Sequence, residues 1–187
     1  YEYMKSEILH LLRHADGYVS GQQLCETFGV SRTAVWKVIN QLKEEGYVID
    51  SVQNKGYRIT EYPDIITASE IESLLLDDSG NMQGICRHIQ YFDKTDSTNN
   101  QAKLAAEKNA PEGTLFVAEC QTGGRGRRGK TWESPAGSGI WMSLLLRPDI
   151  SPESASMLTL VLAVAMVDAI NEEVQDAKCY VKWPNDI

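Results

Sequence analysis

The chain has 187 residues, 42% of them hydrophobic and 24% charged, a composition typical of a folded globular protein and not of a disordered one. Its net charge of −8 excludes a protein that coats nucleic acid through overall positive charge, so any DNA contact requires a local basic patch. The four cysteines lie far apart and lack metal-site spacing, which predicts free thiols in a reducing compartment.

The sequence contains no pattern that favours a membrane location. No secretory signal opens it, and its longest apolar stretch, residues 157–167, is shorter than a bilayer span and contains Thr159. We therefore expect a cytoplasmic protein that does not associate with membranes.

The first 62 residues carry the pattern of a winged helix-turn-helix. Apolar periodicity and capping residues predict helices over 5–13 and 21–28, and a third from Ser31 to about residue 45. Two β-prone runs follow, and residues 53–55 form the turn between them. We place the helix-turn-helix at about 21–40 and the wing at about 47–60.

A linker over residues 63–84 contains a capping box, Thr67 to Glu70, that opens a short helix. Beyond Gly84 strands and helices alternate, which predicts a mixed α/β domain over residues 85–187 and an α+β protein overall. The predicted strands lie at 88–92, 114–120, 140–146 and 179–183, and the helices lie at 98–108 and from Ser151 onward.

The start of the third helix is the candidate DNA-reading surface, because the first turns of that helix enter the major groove in helix-turn-helix proteins. Residues 31–43 carry three basic side chains and no acidic one, which supplies the local patch that the composition requires. Protein binding by the winged helix is the alternative, and Trp36 can equally be a core residue. The candidate contacts are Ser31, Arg32, Thr33, Trp36 and Lys37, with Asn54 and Lys55 at the wing tip.

The segment from Gln121 to Pro135 is rich in glycine and arginine and lies between two predicted strands. Glycines let the main chain approach a ligand closely, and guanidinium groups bind carboxylate or phosphate. The spacing matches neither a P-loop nor a dinucleotide fingerprint. A flexible RNA-binding tail is the alternative, but the folded surroundings and Trp132 favour a site for a small anion.

Two further segments fit such a site. Asp96-Ser97-Thr98-Asn99 opens a helix with side-chain donors that suit a polar ligand, although simple helix capping explains them equally well. Residues 182–186 follow a predicted strand and offer a lysine for phosphate and a carboxylate for Mg²⁺.

Taken in this order, these motifs closely resemble the biotin protein ligase family. With the winged helix they resemble its bifunctional bacterial class, which also represses genes of biotin synthesis or transport. The resemblance implies that residues 85–187 are the N-terminal part of a class II synthetase-like catalytic domain. It also implies that biotin and MgATP form biotinyl-5′-adenylate, and that biotin then passes to a lysine of a biotin carrier protein, such as an acetyl-CoA carboxylase subunit.

The resemblance assigns roles residue by residue. Biotin binding falls to Ser97, Thr98, Asn99, Gln121, Gly124, Arg125, Gly126 and Arg127, and nucleotide binding to Arg127, Arg128, Trp132, Lys182 and Asn185. Arg125, Arg127 and Lys182 are the candidate catalytic residues, and Asp186 is the candidate Mg²⁺ ligand. The class also implies a homodimer that forms on ligand binding and contacts operator DNA.

The family continues beyond these motifs to a further lysine segment and a small C-terminal β-barrel. A chain that ends at Ile187 is therefore expected to be a poor ligase. One alternative is a non-catalytic transcription regulator that senses biotin or its adenylate. A lipoate ligase is the other, and the glycine-arginine segment weighs against it.

Overall fold

The computed structural model describes residues 2–126, 130–174, 178–183 and 186–187. The chain divides into two compact units, residues 1–146 and residues 147–187.

The N-terminal elements confirm the winged helix. The helices are α1 (Glu2–His14), α2 (Gly21–Phe28) and α3 (Arg32–Glu44), and the wing strands are β1 (Val48–Val52) and β2 (Gly56–Glu61). Ser20 and Ser31 cap α2 and α3 by accepting hydrogen bonds from backbone N–H groups three residues later. These caps fix where each helix begins.

A single hydrophobic core holds these helices together. Full burial of one apolar side chain in such a core contributes about 1.5–3 kcal/mol to the free energy of unfolding, relative to leaving it exposed. The fully buried side chains are Ile8, Leu9, Leu24, Val35, Val38, Ile39 and Leu42.

The wing is fixed to the helices by its backbone. Val19 and Tyr57 exchange two N–H···O bonds of 2.9 Å. A Cβ on Gly56 would lie 2.0 Å from the carbonyl oxygen of Val19, and φ at Gly56 is +113°, so only glycine fits here. Asn54 takes a left-handed conformation in the turn, with φ of 63°.

The linker helix α4 (Ala68–Leu75) is tied to the winged helix by a carboxylate. Thr67 caps α4 as predicted, but the Glu70 side chain accepts hydrogen bonds from Arg13, at 2.6 Å, and from the Tyr47 hydroxyl. Burial, with Glu70 adding to it, raises the pKa of Tyr47, so its hydroxyl remains a proton donor. Glu70 thereby ties α4 to α1 and to Tyr47, which lies between α3 and β1.

A three-stranded sheet follows, made of β3 (His88–Phe92), β4 (Thr114–Ala118) and β5 (Trp141–Leu145) in that order. β3 and β4 are parallel and joined through α5 (Thr98–Glu107), whereas β5 is antiparallel to β4. All five β4 residues are buried. Because α5 begins just after β3, its N-terminus lies at the carboxyl end of the parallel pair.

In the second unit a 3-10 turn (Pro152–Ser156) leads into α6 (Met157–Glu173). The strand predicted over residues 179–183 is wrong, since the described residues there form no strand. Lys182 and Asp186 instead exchange backbone hydrogen bonds of 2.8 and 3.0 Å, so these groups pair with each other and not with a neighbouring strand.

Residues 152–173 form one continuous helical segment of 22 residues, longer than the apolar stretch on which the expectation about membranes rested. This helical segment is long enough and apolar enough to cross a membrane, but core helices of soluble proteins meet the same two criteria. The absence of membrane association stays a prediction.

Candidate functional site

The N-terminus of α5 is organised by Asp96. Its carboxylate accepts hydrogen bonds from Asn100, at 2.6 Å, from Gln101, at 3.0 Å, and from Thr95, at 3.2 Å. The hydrogen bond from Asn100, with those from the Ser97 backbone and Gln101, lowers the pKa of Asp96 to about 2. Asp96 is therefore ionised and serves the local structure, while the hydroxyl of Ser97 makes no capping hydrogen bond.

Gln121 joins α5 to the glycine-rich segment. Its Oε1 accepts hydrogen bonds from the backbone N–H of Thr98, at 2.8 Å, and from the Thr98 hydroxyl, at 3.2 Å. Its Nε2 donates to Oγ of Ser134 at 3.1 Å. A side chain predicted to bind ligand thus also caps a helix and positions its neighbours.

The glycine-rich segment forms two paired arms. Backbone hydrogen bonds join Gln121 to Ser134, Trp132 to Gly124, and Gly126 to Lys130, at 3.0, 2.9 and 2.7 Å. We call residues 121–126 and 130–134 the glycine-rich hairpin. The predicted ligand contacts Arg127 and Arg128 lie outside the described residues.

Gly124 allows the two arms to approach each other. A Cβ there would lie 2.4 Å from the carbonyl oxygen of Trp132 and 2.9 Å from Oγ of Ser134. At Gly126 the nearest atom would lie 3.4 Å away, which is ordinary contact. The base of the hairpin therefore requires glycine at position 124 and not at position 126.

A cavity of about 390 Å³ opens between the start of α5 and the hairpin. Six predicted site residues line it, which places the two motifs at one site, and its lining carries no acidic side chain. The lining residues are Ser97, Thr98, Asn99, Lys103, Gln121, Arg125 and Trp132.

Sequence reasoning missed two residues of this site. Lys103 lines the cavity one helical turn after Asn99, and that spacing was the available signal. Ser134 is buried, accepts from Gln121 and contacts the carbonyl oxygen of Trp132. No local pattern identified its role, because that role depends on a pairing across the hairpin.

The predicted nucleotide and metal residues of the second unit pair with each other. Nζ of Lys182 lies 3.6 Å from Oδ2 of Asp186, and both side chains are largely exposed. Asn185 lies outside the described residues. The described part of the chain contains no cluster of three or more His, Cys, Asp or Glu side chains suited to a metal ion, and the Asp186 assignment stays a prediction.

The candidate DNA-reading residues are all exposed. Ser31, Arg32, Thr33 and Lys37 lie on the open side of α3, and Trp36 is 56% exposed, so Trp36 is not a core residue. The hydroxyl of Ser31 also caps α3 by accepting a backbone hydrogen bond, so a contact with DNA would share this hydroxyl with the cap.

A groove of about 510 Å³ lies between the starts of α2 and α3 and the wing. Arg32 and the wing residues Asn54 and Lys55, all candidate DNA contacts, line this one groove. It also includes Ser20 and Gln22, which sequence reasoning missed although Ser20 had the character of a helix cap.

Comparison with known proteins identifies the family. The model of the biotin/lipoate A/B protein ligase family matches residues 91–187, and that of an HTH domain matches residues 5–58. The chain belongs to the biotin/lipoate A/B protein ligase family.

Two curated relatives of this family member are bifunctional ligase/repressors BirA. The protein of Bacillus subtilis is 43% identical over 98% of this chain and 55% of its own length, and that of Escherichia coli is 34% identical over 97% and 53%. The biotin protein ligase of Aquifex aeolicus, solved with biotin and ATP, is 36% identical over 52% of this chain and 40% of its own, with a TM-score of 0.45. The chain spans about half the length of the curated relatives.

The close approach at Gly124 is testable by a matched pair of substitutions. Gly124→Ala should lower the free energy of unfolding by about 1–3 kcal/mol, because the new methyl group overlaps the Trp132 carbonyl. Gly126→Ala should have an effect close to zero. Urea denaturation measures both, and equal losses in the two variants would contradict the described hairpin pairing.

Proposed function

We propose that the protein is an ATP-dependent biotin ligase that also acts as a biotin-responsive transcriptional repressor. The observation that carries this proposal is the cavity that joins Ser97, Thr98 and Asn99 to the glycine-rich hairpin. Family membership and the names of the curated relatives support the same chemistry.

The lining favours biotin over lipoate. Ser97, Thr98, Asn99 and Gln121 offer neutral hydrogen-bonding groups, which suit the ureido ring of biotin. The dithiolane ring of lipoate has no strong hydrogen-bonding group, so it would leave Ser97 and Asn99 without a ligand partner, at a cost in free energy, whereas Thr98 and Gln121 already have protein partners.

In the proposed first step a carboxylate oxygen of biotin attacks the α-phosphorus of ATP. The bond from that phosphorus to the bridging oxygen breaks, and pyrophosphate leaves. Arg125 would screen the approaching negative charges, and Arg127 and Arg128 are proposed to act with it. In the second step the amine of a carrier lysine attacks the acyl carbon, AMP leaves, and the amine loses a proton.

The nucleotide is proposed to contact the exposed ring of Trp132, which is available for stacking on adenine. We also assign Lys182 and Asn185 to the nucleotide. Since ATP reacts as its magnesium complex, the phosphates would supply most of the ligands, with Asp186 as one candidate carboxylate.

We further propose that the acceptor is a biotin carrier protein, such as an acetyl-CoA carboxylase subunit. The ligand-bound form is proposed to be a homodimer whose two winged helices contact two half-sites of operator DNA. Ligand supply would then set repression, because ligand binding favours the dimer that binds DNA. Such a protein would act in the cytoplasm.

Pyrophosphate release with biotin and MgATP tests the ligase. The full-length protein should release pyrophosphate, and Arg125→Ala should lower kcat/KM roughly 100-fold because a cation at the developing charge is removed. Lys108→Ala, at an exposed position just after α5, should retain full activity. An excess of free lipoate should not compete.

Absence of release by both the 187-residue chain and the full-length protein would contradict the ligase. If biotin-dependent DNA binding persisted in that case, the non-catalytic regulator would be the better account. If lipoate competed with biotin and itself supported pyrophosphate release, the lipoate ligase would be the better account.

DNA binding is testable at Lys37, an exposed residue of α3. On an operator duplex recovered by selection, Lys37→Ala should weaken binding and reduce the slope of log affinity against log salt by about 1, since one phosphate contact is lost. Fluorescence anisotropy at several salt concentrations measures both. An unchanged slope with unchanged affinity would favour a winged helix that binds protein.

A further inference from the structure

Lys103 occupies the ligand cavity without belonging to any motif that we derived from the sequence. It lies on α5, four residues after Asn99. Since residues four apart share one face of a helix, both side chains project toward the same side of α5. Both line the cavity.

The charges of the lining are of one sign. Lys103 and Arg125 are its two ionisable side chains, and both are cations. Across the described ranges of the chain, none of the salt bridges engages Lys103 or Arg125. In a protein with a net charge of −8, a concave surface with two cations and no acid is suited to a small anion.

The lining also divides into two chemical groups. Ser97, Thr98 and Gln121 supply neutral donors and acceptors at the start of α5, and Lys103 lies one turn further along the helix. One helical turn rises about 5.4 Å. This arrangement suits a ligand with a neutral polar head and a separate anionic end.

We propose that Lys103 binds the carboxylate of the acid substrate and so selects the ionised acid over neutral analogues. This inference rests on the proposed function, since it assumes that the cavity binds a small carboxylic acid. The lysine ammonium donates up to three hydrogen bonds from a flexible stem, and hydrogen bonds to charged groups are stronger than neutral ones.

Titration calorimetry on the protein with biotin and with biotinol, in which an alcohol replaces the carboxylate, tests the proposal. Lys103→Met should weaken biotin binding about tenfold and leave biotinol binding within about twofold of wild type. Lys103→Arg should restore most of the biotin affinity. Lys108→Met is the matched control on the exposed surface just after α5, and it should leave both affinities unchanged.

Equal weakening of biotin and biotinol by Lys103→Met would overturn the proposal, because it would mean that Lys103 only supports the fold. Unchanged biotin affinity in Lys103→Met would overturn it as well, as would an equal loss in the Lys108→Met control. If wild-type protein bound neither biotin nor biotinol, the proposed function itself would fail, which is a distinguishable result.

Discussion

The hydrogen bonds of the Gln121 side chain hold the candidate site together. This one amide joins the start of α5, through the backbone and hydroxyl of Thr98, to the far arm of the glycine-rich hairpin, through Ser134. The two motifs lie 22 residues or more apart in sequence, and this contact brings them together along with backbone hydrogen bonds from Thr122 to Thr95 and from Gly123 to Asp96. The close approach at Gly124 then brings Trp132 beside Arg125, so that stacking and cationic groups share one opening.

A second polar contact joins the winged helix to the linker helix α4. Glu70 of α4 accepts hydrogen bonds from Arg13 in α1 and from Tyr47, which follows α3. Breaking one partner of a part-buried charged group is costly, because the remaining charge keeps its desolvation penalty. The linker helix is therefore held against the winged helix by a charged contact that is costly to break.

How well the sequence predicted each feature depends on how far apart along the chain the interacting residues lie. Ser31, Thr67 and the apolar periodicity act within a few residues, so the starts of α3 and α4 were predicted correctly. The pairing of Gln121 with Ser134 depends on tertiary contacts, and only the motif resemblance indicated that these segments meet. The strand predicted near residue 180 failed because β propensity cannot specify a partner strand, and Lys182 pairs with Asp186 instead.

Ligand is proposed to bind between α5 and the glycine-rich hairpin, and Trp132 reports on that site directly. The chain has four tryptophans, which fluorine NMR of fluorotryptophan-labelled protein resolves individually once each is assigned by substitution. Saturating biotin should shift the Trp132 resonance more than any other, because its ring borders the cavity. Bound biotin with an unshifted Trp132 would place the ligand elsewhere and contradict the account.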